Sequence, residues 1–302
     1  MIITKNHVLN SKKVRKDIVI AQLSDLHYND FTDPKKLVAI YLAVMNINPD
    51  YIIFCGDIFF SKSHNYDNLI EFFSILSKIA PLYITLGNHD VMTLANKTKG
   101  IKDLKWVEYV ETAVLDKLKD MNNVKIVDNE TVPLDEYNVL LTGINMGFKH
   151  YAGKDMGFNQ YEKGTQESPA DFVSTVNKLF RDVQDERTFN QISCHSPLVI
   201  LNPEHFIELG ITYNADLIHC GHMHHGAVPP GFGVILPKNK GIIDPHGNRL
   251  PKLARGEVRI NGAFGIIGGP LTTIAECQGA KAKLINMACP SRIDAVLVKK
   301  MR

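Results

Sequence analysis

Five apolar runs in this chain end abruptly in residues that bind metal ions or move protons. The plainest case is Tyr83-Ile84-Thr85-Leu86-Gly87-Asn88-His89-Asp90, a β-prone run that stops at a glycine and passes straight into Asn-His-Asp. A buried strand that ends this way reads as a carboxyl-end loop, the place where open α/β sheets put their ligands. Taken singly it reads equally as a turn, because Gly, Asn and Asp are all turn formers. The same event recurs where residues 18–24 run into Asp25-Leu26-His27 and residues 51–55 into Gly56-Asp57. It recurs again where residues 189–194 run into His195 and residues 215–220 into Gly221-His222-Met223-His224.

Between the first three runs the period changes from strand to helix. Leu37, Ile40, Tyr41, Val44 and Met45 recur at helical spacing until Asn48-Pro49, and Leu69, Phe72, Phe73, Leu76 and Ile79 do so before Pro81. The order is β-α-β-α-β, the pattern of a parallel sheet with right-handed crossovers. A long helix is expected around Asp103 to Asp120, then short strands near 124–127 and 139–143, then a helix carrying Phe172, Val176, Leu179, Phe180 and Val183. Beyond Pro229 short apolar runs alternate with Gly, Pro and Asn, and His246-Gly247-Asn248 suggests a hairpin. A second, mostly antiparallel sheet is the expected use of residues 229–302. With no repeat and no break in composition, residues 1–302 are read as one domain with an N-terminal extension over 1–17.

Composition narrows the function classes. The chain has 302 residues, 45% of them hydrophobic and 22% charged, as in a globular protein with a sizeable core. Thirty-four basic against thirty-two acidic side chains leave a net charge of +2, so no global basic field argues for nucleic acid. The five cysteines contain no CxxC pair, which suits a reducing compartment. Cys55, Cys194 and Cys220 each precede a motif and are read as small buried fillers. No window approaches the roughly 18 apolar residues of a membrane span, and Met1 to Asp17 lacks the apolar core of a signal peptide. A cytoplasmic location is expected.

The strand-end residues are Asp25, His27, Asp57, Asn88, His89, His195, His222 and His224. Two carboxylates, one amide and five imidazoles form an N/O donor set suited to Mn, Fe, Zn or Co. Asp25-x-His27 and His222-x-His224 are expected to put both members on one side of an extended segment, because the strand period is two. More than four such ligands point to two ions, with Asp57 the side chain best able to bridge them. Such a pair holds a phosphate ester, supplies a bridging hydroxide near neutral pH and stabilises an in-line displacement. Of the other histidines, His7, His64, His150, His205 and His246 are read as solvated, His219 as a satisfied core residue and His225 as lying behind the ligands.

The ordered series Asp25-x-His27, Gly56-Asp57, Gly87-Asn88-His89-Asp90, His195 and Gly221-His222-x-His224 resembles the motif series of the calcineurin-like metallophosphoesterases, over about residues 18 to 226. The resemblance implies an α/β fold, a four-layer α/β/β/α sandwich with two central mixed β-sheets and a metal site at the carboxyl ends of the strands. It implies that Asp25, His27, Asp57 and His224 hold one metal ion, and that Asp57, Asn88, His195 and His222 hold the other. His89 would protonate the leaving oxygen without binding metal.

Many members carry a second Asp three residues after Gly-Asp, which orients the histidine; here that residue is Phe60. Another carboxylate, with Asp90 as a guess, or a backbone carbonyl must take its place. The arginines that flank these motifs in protein Ser/Thr phosphatases are missing, which argues against a phosphoprotein substrate. Residues 221–226 resemble the ending of bacterial phosphoesterases that act at membranes, so peripheral membrane contact stays open. Gly56-Asp57-Ile58-Phe59 has a fainter likeness to a nuclease branch.

The expected activity is therefore hydrolysis of the phosphodiester, phosphomonoester or pyrophosphate bonds of a small molecule, diesters preferred, by a metal-bridging hydroxide with His89 as general acid. A nuclease and a non-catalytic metal-binding module are the alternatives. Selectivity is expected from residues 145–168, where His150, Tyr151 and Lys154 are candidate substrate contacts, together with His225.

Overall fold

The computed structural model describes residues 2–60, 63–94, 106–145, 178–179, 185–197, 215–222, 257–260, 263–269, 271–272 and 291–302. In chain order the elements are β1 (Ile2–Ser11), β2 (Ile18–Leu23), α1 (Pro34–Ile47), β3 (Tyr51–Cys55), α2 (Asp67–Ile79), β4 (Leu82–Thr85) and α3 (Asn88–Val91). There follow β5 (Met92–Leu94), β6 (Trp106–Glu108), α4 (Thr112–Lys119), β7 (Val124–Ile126), β8 (Glu130–Leu134) and β9 (Val139–Ile144). The last are β10 (Phe189–Cys194), β11 (Leu217–Cys220), β12 (Glu257–Ile260), β13 (Ala263–Ile267) and β14 (Ser291–Lys300).

Among the described residues, two six-stranded mixed sheets form an α/β sandwich. The first has the order β1-β14-β2-β3-β4-β7, and the second β12-β13-β11-β10-β9-β8. Strands β2, β3, β4 and β7 run parallel, with β3 buried at every position, as expected of a sheet covered on both faces. Helix α1 starts where Pro34 presets the first turn and the Asp33 carboxylate accepts from Lys35 N at 2.9 Å. It ends at Asn48, whose left-handed backbone lets its N–H reach Val44 O, and Pro49 blocks continuation. Leu37, Ile40 and Val44 of α1 and Leu69, Phe72, Phe73 and Leu76 of α2 pack on the first sheet. Met45, expected on that stripe, is largely exposed.

The inner faces of the two sheets meet over a second core that includes Ile20, Ile53, Tyr51, Leu141, Phe189, Leu217 and Ile266. Polar side chains also tie the sheets together. Gln22 Nε2 of β2 donates to Cys220 O (2.8 Å) and Ile266 O (3.2 Å), and Gln191 Nε2 of β10 donates to the Tyr51 hydroxyl (2.6 Å). His219 lies in this layer as a core residue, with Nδ1 donating to Gln22 Oε1 at 2.7 Å.

Several expectations are corrected. The supposed N-terminal extension contains β1, which pairs in parallel with β14 over ten residues and completes the first sheet. Among the described residues of the tail, β12 and β13 belong to the second sheet, whereas β14 belongs to the first and runs antiparallel to β2. Among the described residues the second sheet is mostly parallel rather than antiparallel: β9, β10, β11 and β13 are mutually parallel, and β8 and β12 run the other way. The expected long helix is a short strand, β6, followed by the two-turn α4, and β8 was not foreseen. The apolar runs in 229–256 with the hairpin at His246 lie outside the described residues, as do His205 and most of the helix expected over 172–183; Lys178 and Leu179 are helical. Among the described residues, no helix is long and apolar enough to cross a membrane.

His7 is the other correction: it is buried rather than solvated. It occupies the inward position of β1, and its Nε2 lies 2.7 Å from Asp294 Oδ1. Arg292 completes the cluster, with Nε 2.9 Å from Asp294 Oδ2 and Nη2 2.8 Å from Oδ1. Burial alone would raise the Asp294 pKa, but the His7 hydrogen bond and the Arg292 charge outweigh it and hold it below the usual carboxylate range. A carboxyl depressed by folding adds stability above its unfolded pKa of about 3.9 and loses it as pH falls through the folded value. Asp294→Ala should therefore cost roughly 3–5 kcal/mol in urea unfolding near neutral pH. That cost should shrink as the medium is made more acidic than about pH 4. A cost that stays constant into strong acid would contradict this.

Candidate metal centre

The strand ends bring their residues to one edge of the sandwich, and three of them do so through an uncommon backbone. Asp25 (φ 55°), His27 (φ 48°), Asp57 (φ 56°) and His222 (φ 67°) are all left-handed. The remaining non-glycine residues described with positive φ are Asn48, Asn123, Asn129 and Asn138, at a helix cap and in turns between elements. Strain of this kind in Asp and His residues persists where the surroundings over-determine it, and it gathers at functional sites. It also corrects the strand-period argument for Asp25 and His27. A left-handed turn, held by Asp25 N to Gly56 O and His27 N to Asp57 O (3.0 Å each), brings the two side chains together.

Two glycines make room for this. Gly56 takes φ 74°, and a Cβ there would lie 2.6 Å from Gly87 N and 2.8 Å from His195 Nδ1. A Cβ on Gly87 would overlap the Asp57 carboxylate. The loops after β3 and β4 are therefore packed backbone against backbone, which only glycine permits.

Asp57 is the centre of the donor set. Its Oδ2 lies 3.2 Å from His195 Nε2 and 3.6 Å from His27 Nε2, and its Oδ1 accepts from the His89 amide at 2.8 Å. Burial would raise its pKa, but His195, His89 and His27 together hold it well below the ordinary value. Asp25 Oδ1 lies 3.8 Å from His27 Nε2, and both Asp25 oxygens accept from the His222 amide at 3.1 Å. Asn88 Oδ1 lies 3.1 Å from His195 Nε2 and 2.9 Å from His222 Nδ1. Two trios of donor atoms, each within 4.8 Å, share Asp57: His27–Asp57–His89 and Asp57–His195–His222.

This donor set fits metal ions, and His195 shows it most directly. Its Nδ1 lies 2.6 Å from Cys55 O, which can only accept, so Nδ1 carries the hydrogen. Nε2 then faces Asp57 Oδ2 and Asn88 Oδ1, and a neutral ring would aim its lone pair at two oxygens. A cation between them, proton or metal, resolves the conflict, and a carbonyl behind the ring is the usual support of a metal-bound imidazole. Burial opposes protonation of His195, yet Asp57 pushes its pKa up to about 9.

Asp90 does not orient His89. Its Oδ2 accepts from Gly87 N (2.7 Å) and Asp57 N (2.9 Å), and its Oδ1 from Ile58 N (2.8 Å) and Phe59 N (3.2 Å). One buried carboxylate thus ties the β3 and β4 loops together. The bond to Gly87 is the N3-to-N-cap half of a capping box, so the signal was an acid three residues after a helix-starting glycine. His89 is held instead by a backbone carbonyl, with Nδ1 3.1 Å from Phe60 O. Asn145 also went unforeseen as a support; its Oδ1 accepts from Leu86 N at 2.6 Å.

Seven of the eight strand-end residues are brought together at this edge. His224, His150, Tyr151, Lys154 and His225 lie outside the described residues, as does 146–168. Cys55, Cys194 and Cys220 are buried free thiols beneath the site, as read from the sequence. His64 is exposed and pairs with Asp30 (2.5 Å).

The sequence matches the family model for calcineurin-like phosphoesterases over residues 18–226 of 302. The chain belongs to that family. Calcineurin-like phosphoesterases typically bind divalent metals, so membership and the two trios together make this a metal-dependent phosphoesterase in the general sense. No functionally curated protein matches the chain. Among solved structures it is similar to TT1561 of Thermus thermophilus, at 13% identity over 84% of this chain and 90% of that one, with a TM-score of 0.47. It is also similar to GAP50, the anchor in the inner membrane complex of Plasmodium, at 11% identity over 86% of this chain and 73% of that one, with a TM-score of 0.42.

Asp90→Asn keeps the volume but turns one acceptor into a donor that faces two backbone N–H groups. The loss in unfolding free energy should be about 2–4 kcal/mol, the range for stranding buried amides. A change under about 0.5 kcal/mol, the scatter of ordinary surface substitutions, would show that the clamp is dispensable.

Proposed function

We propose that the chain is a dinuclear metal hydrolase of small-molecule phosphate esters, with diesters preferred. The observation that carries this is the buried Asp57 carboxylate, which has His27 on one side and His195 and His222 on the other, with His89 close enough to act on a substrate held there. In this reading Asp25, His27, Asp57 and His224 hold one ion, and Asp57, Asn88, His195 and His222 the other. Mn, Fe and Zn all suit the N/O donors. When bound, the ions supply Lewis acidity toward the phosphoryl oxygens and hydroxide near neutral pH.

The chain's own residues do the rest. Asp57 and Asn88 hold the imidazoles in register, and Cys55 O fixes the tautomer of His195. His89 is the general acid. With Nδ1–H on Phe60 O, a proton on Nε2 passes to the leaving oxygen as its bond to phosphorus breaks and the bond from the attacking oxygen forms. The ring is left as the neutral Nδ1–H tautomer, which the Phe60 carbonyl already favours.

Selectivity we assign to residues 145–168 and to His225, since the ligand residues address only the phosphoryl group that every ester shares. We also read 1–302 as one domain, because β1 and β14 complete the sheet that carries Asp25, Asp57 and Asn88. The buried free thiols suit a reducing, cytoplasmic compartment.

His89→Ala tests the acid. Hydrolysis of an alkyl phosphodiester should fall by roughly 10²–10⁴-fold, the range for losing a general acid, with bound metal unchanged. The loss should be much smaller for bis-nitrophenyl phosphate, whose leaving group needs little protonation. Equal losses on both substrates would assign His89 to phosphate binding instead.

A further inference from the structure

Phe60 contacts His89 in two ways at once. Its carbonyl lies 3.1 Å from His89 Nδ1, and its ring stacks on the imidazole, with centroids 5.4 Å apart and planes inclined by 18°. The same ring meets His27 edge-on at 5.8 Å and 87°, while His27 and His89 meet edge-on at 4.9 Å. The backbone of Phe60 is itself anchored, with its N–H donating to Tyr28 O at 3.1 Å beside the Tyr28–Phe59 bridge.

A hydrogen bond to one edge of an imidazole sets the direction of that edge but does not by itself set the tilt of the ring plane. A flat aromatic surface laid over one face sets it, because tilting the imidazole breaks the stack. Carbonyl and ring together fix both the direction and the plane of His89, and with them the position of Nε2. An aliphatic side chain supplies the carbonyl without the face.

We infer that Phe60 is the positioning residue for His89, and that its aromatic ring, beyond its backbone carbonyl, holds the imidazole in the plane from which Nε2 reaches the leaving oxygen. The inference rests on His89 acting as general acid, and the test separates the two claims.

Phe60→Leu removes the face and keeps the bulk, and Phe60→Tyr restores the face. With the metal-loaded protein, Phe60→Leu should lower kcat for an alkyl phosphodiester about 10–100-fold, the scale of misplacing a catalytic group by a fraction of an ångström to an ångström. KM, metal content and turnover of bis-nitrophenyl phosphate should stay within about 3-fold, a difference smaller than the tenfold that 1.4 kcal/mol represents. Phe60→Tyr should recover most of the lost rate.

The second readout is independent of activity. In the metal-free protein, at a pH where the ring is neutral, two-bond ¹H–¹⁵N correlation spectra report the His89 tautomer, with His89→Gln identifying its signals. Wild type and Phe60→Tyr should show the Nδ1–H form, and Phe60→Leu should shift toward the Nε2–H form that solvated histidine favours. Identical His89 spectra in wild type and Phe60→Leu would overturn the inference, as would rates that fall equally on both substrates in Phe60→Leu. If His89→Ala shows no leaving-group dependence, the general-acid reading fails and the tautomer spectra alone decide on Phe60.

Discussion

Asp57 is a carboxylate almost wholly removed from water, and it faces imidazole nitrogens delivered by the ends of β2 and β10 and the start of α3. A charge in such a place is tolerated only if it is paired and hydrogen-bonded. Much of the surrounding geometry serves that requirement. The left-handed turn at Asp57 aims the carboxylate inward, Gly56 and Gly87 let the two loops touch, and the Asp90 carboxylate collects the amides that this close approach turns toward it. Burial and the neighbouring Asp57 push Asp90 up to about 7 against the pull of its amides, a sign of how much negative charge is concentrated in these two loops. A cation held between the oxygens and the imidazoles would balance that charge.

The layer beneath the site is polar where most sandwich interiors are not. Ser193 lies 2.9 Å from the Thr85 hydroxyl and 3.6 Å from Cys55 Sγ, and Gln22 spans from β2 to the backbone of β11 and β13. These contacts join the two sheets just below the strand ends that carry Asp57, Asn88, His195 and His222. The candidate ligands come from both sheets, so any slip of one sheet on the other would part Asp57 from His195. Directional hydrogen bonds resist such a slip better than apolar contacts, which are non-directional.

The parallel β2-β3-β4 core, the two helices packed on it and the strand-end residues were legible in the sequence. Each rests on a local period or on an abrupt change of residue type, as where Thr85-Leu86 gives way to Gly87-Asn88-His89. What was not legible depends on partners distant in sequence. His7 sits in a polar stretch that reads as solvated until Asp294, 287 residues away, receives it. Likewise β14 reads as one more tail strand, and only its pairing with both β1 and β2 places it in the first sheet. The Asp25–His27 turn was misread because period alone cannot reveal a positive φ in an aspartate or a histidine. Of the two supports weighed for His89, a backbone carbonyl holds it, whereas Asp90, the guessed carboxylate, takes backbone amides, which leave no mark in a sequence.

In the proposed dinuclear centre, Asp57 organises both metal sites. The direct measurement is metal content per chain, by elemental analysis after reconstitution and removal of loosely held ions, for the wild type and for Asp57→Asn. Two ions are expected per wild-type chain at full activity, with both lost together in Asp57→Asn and the fold retained. One ion per fully active wild-type chain, or an Asp57→Asn protein that keeps one ion bound as tightly as before, would contradict this.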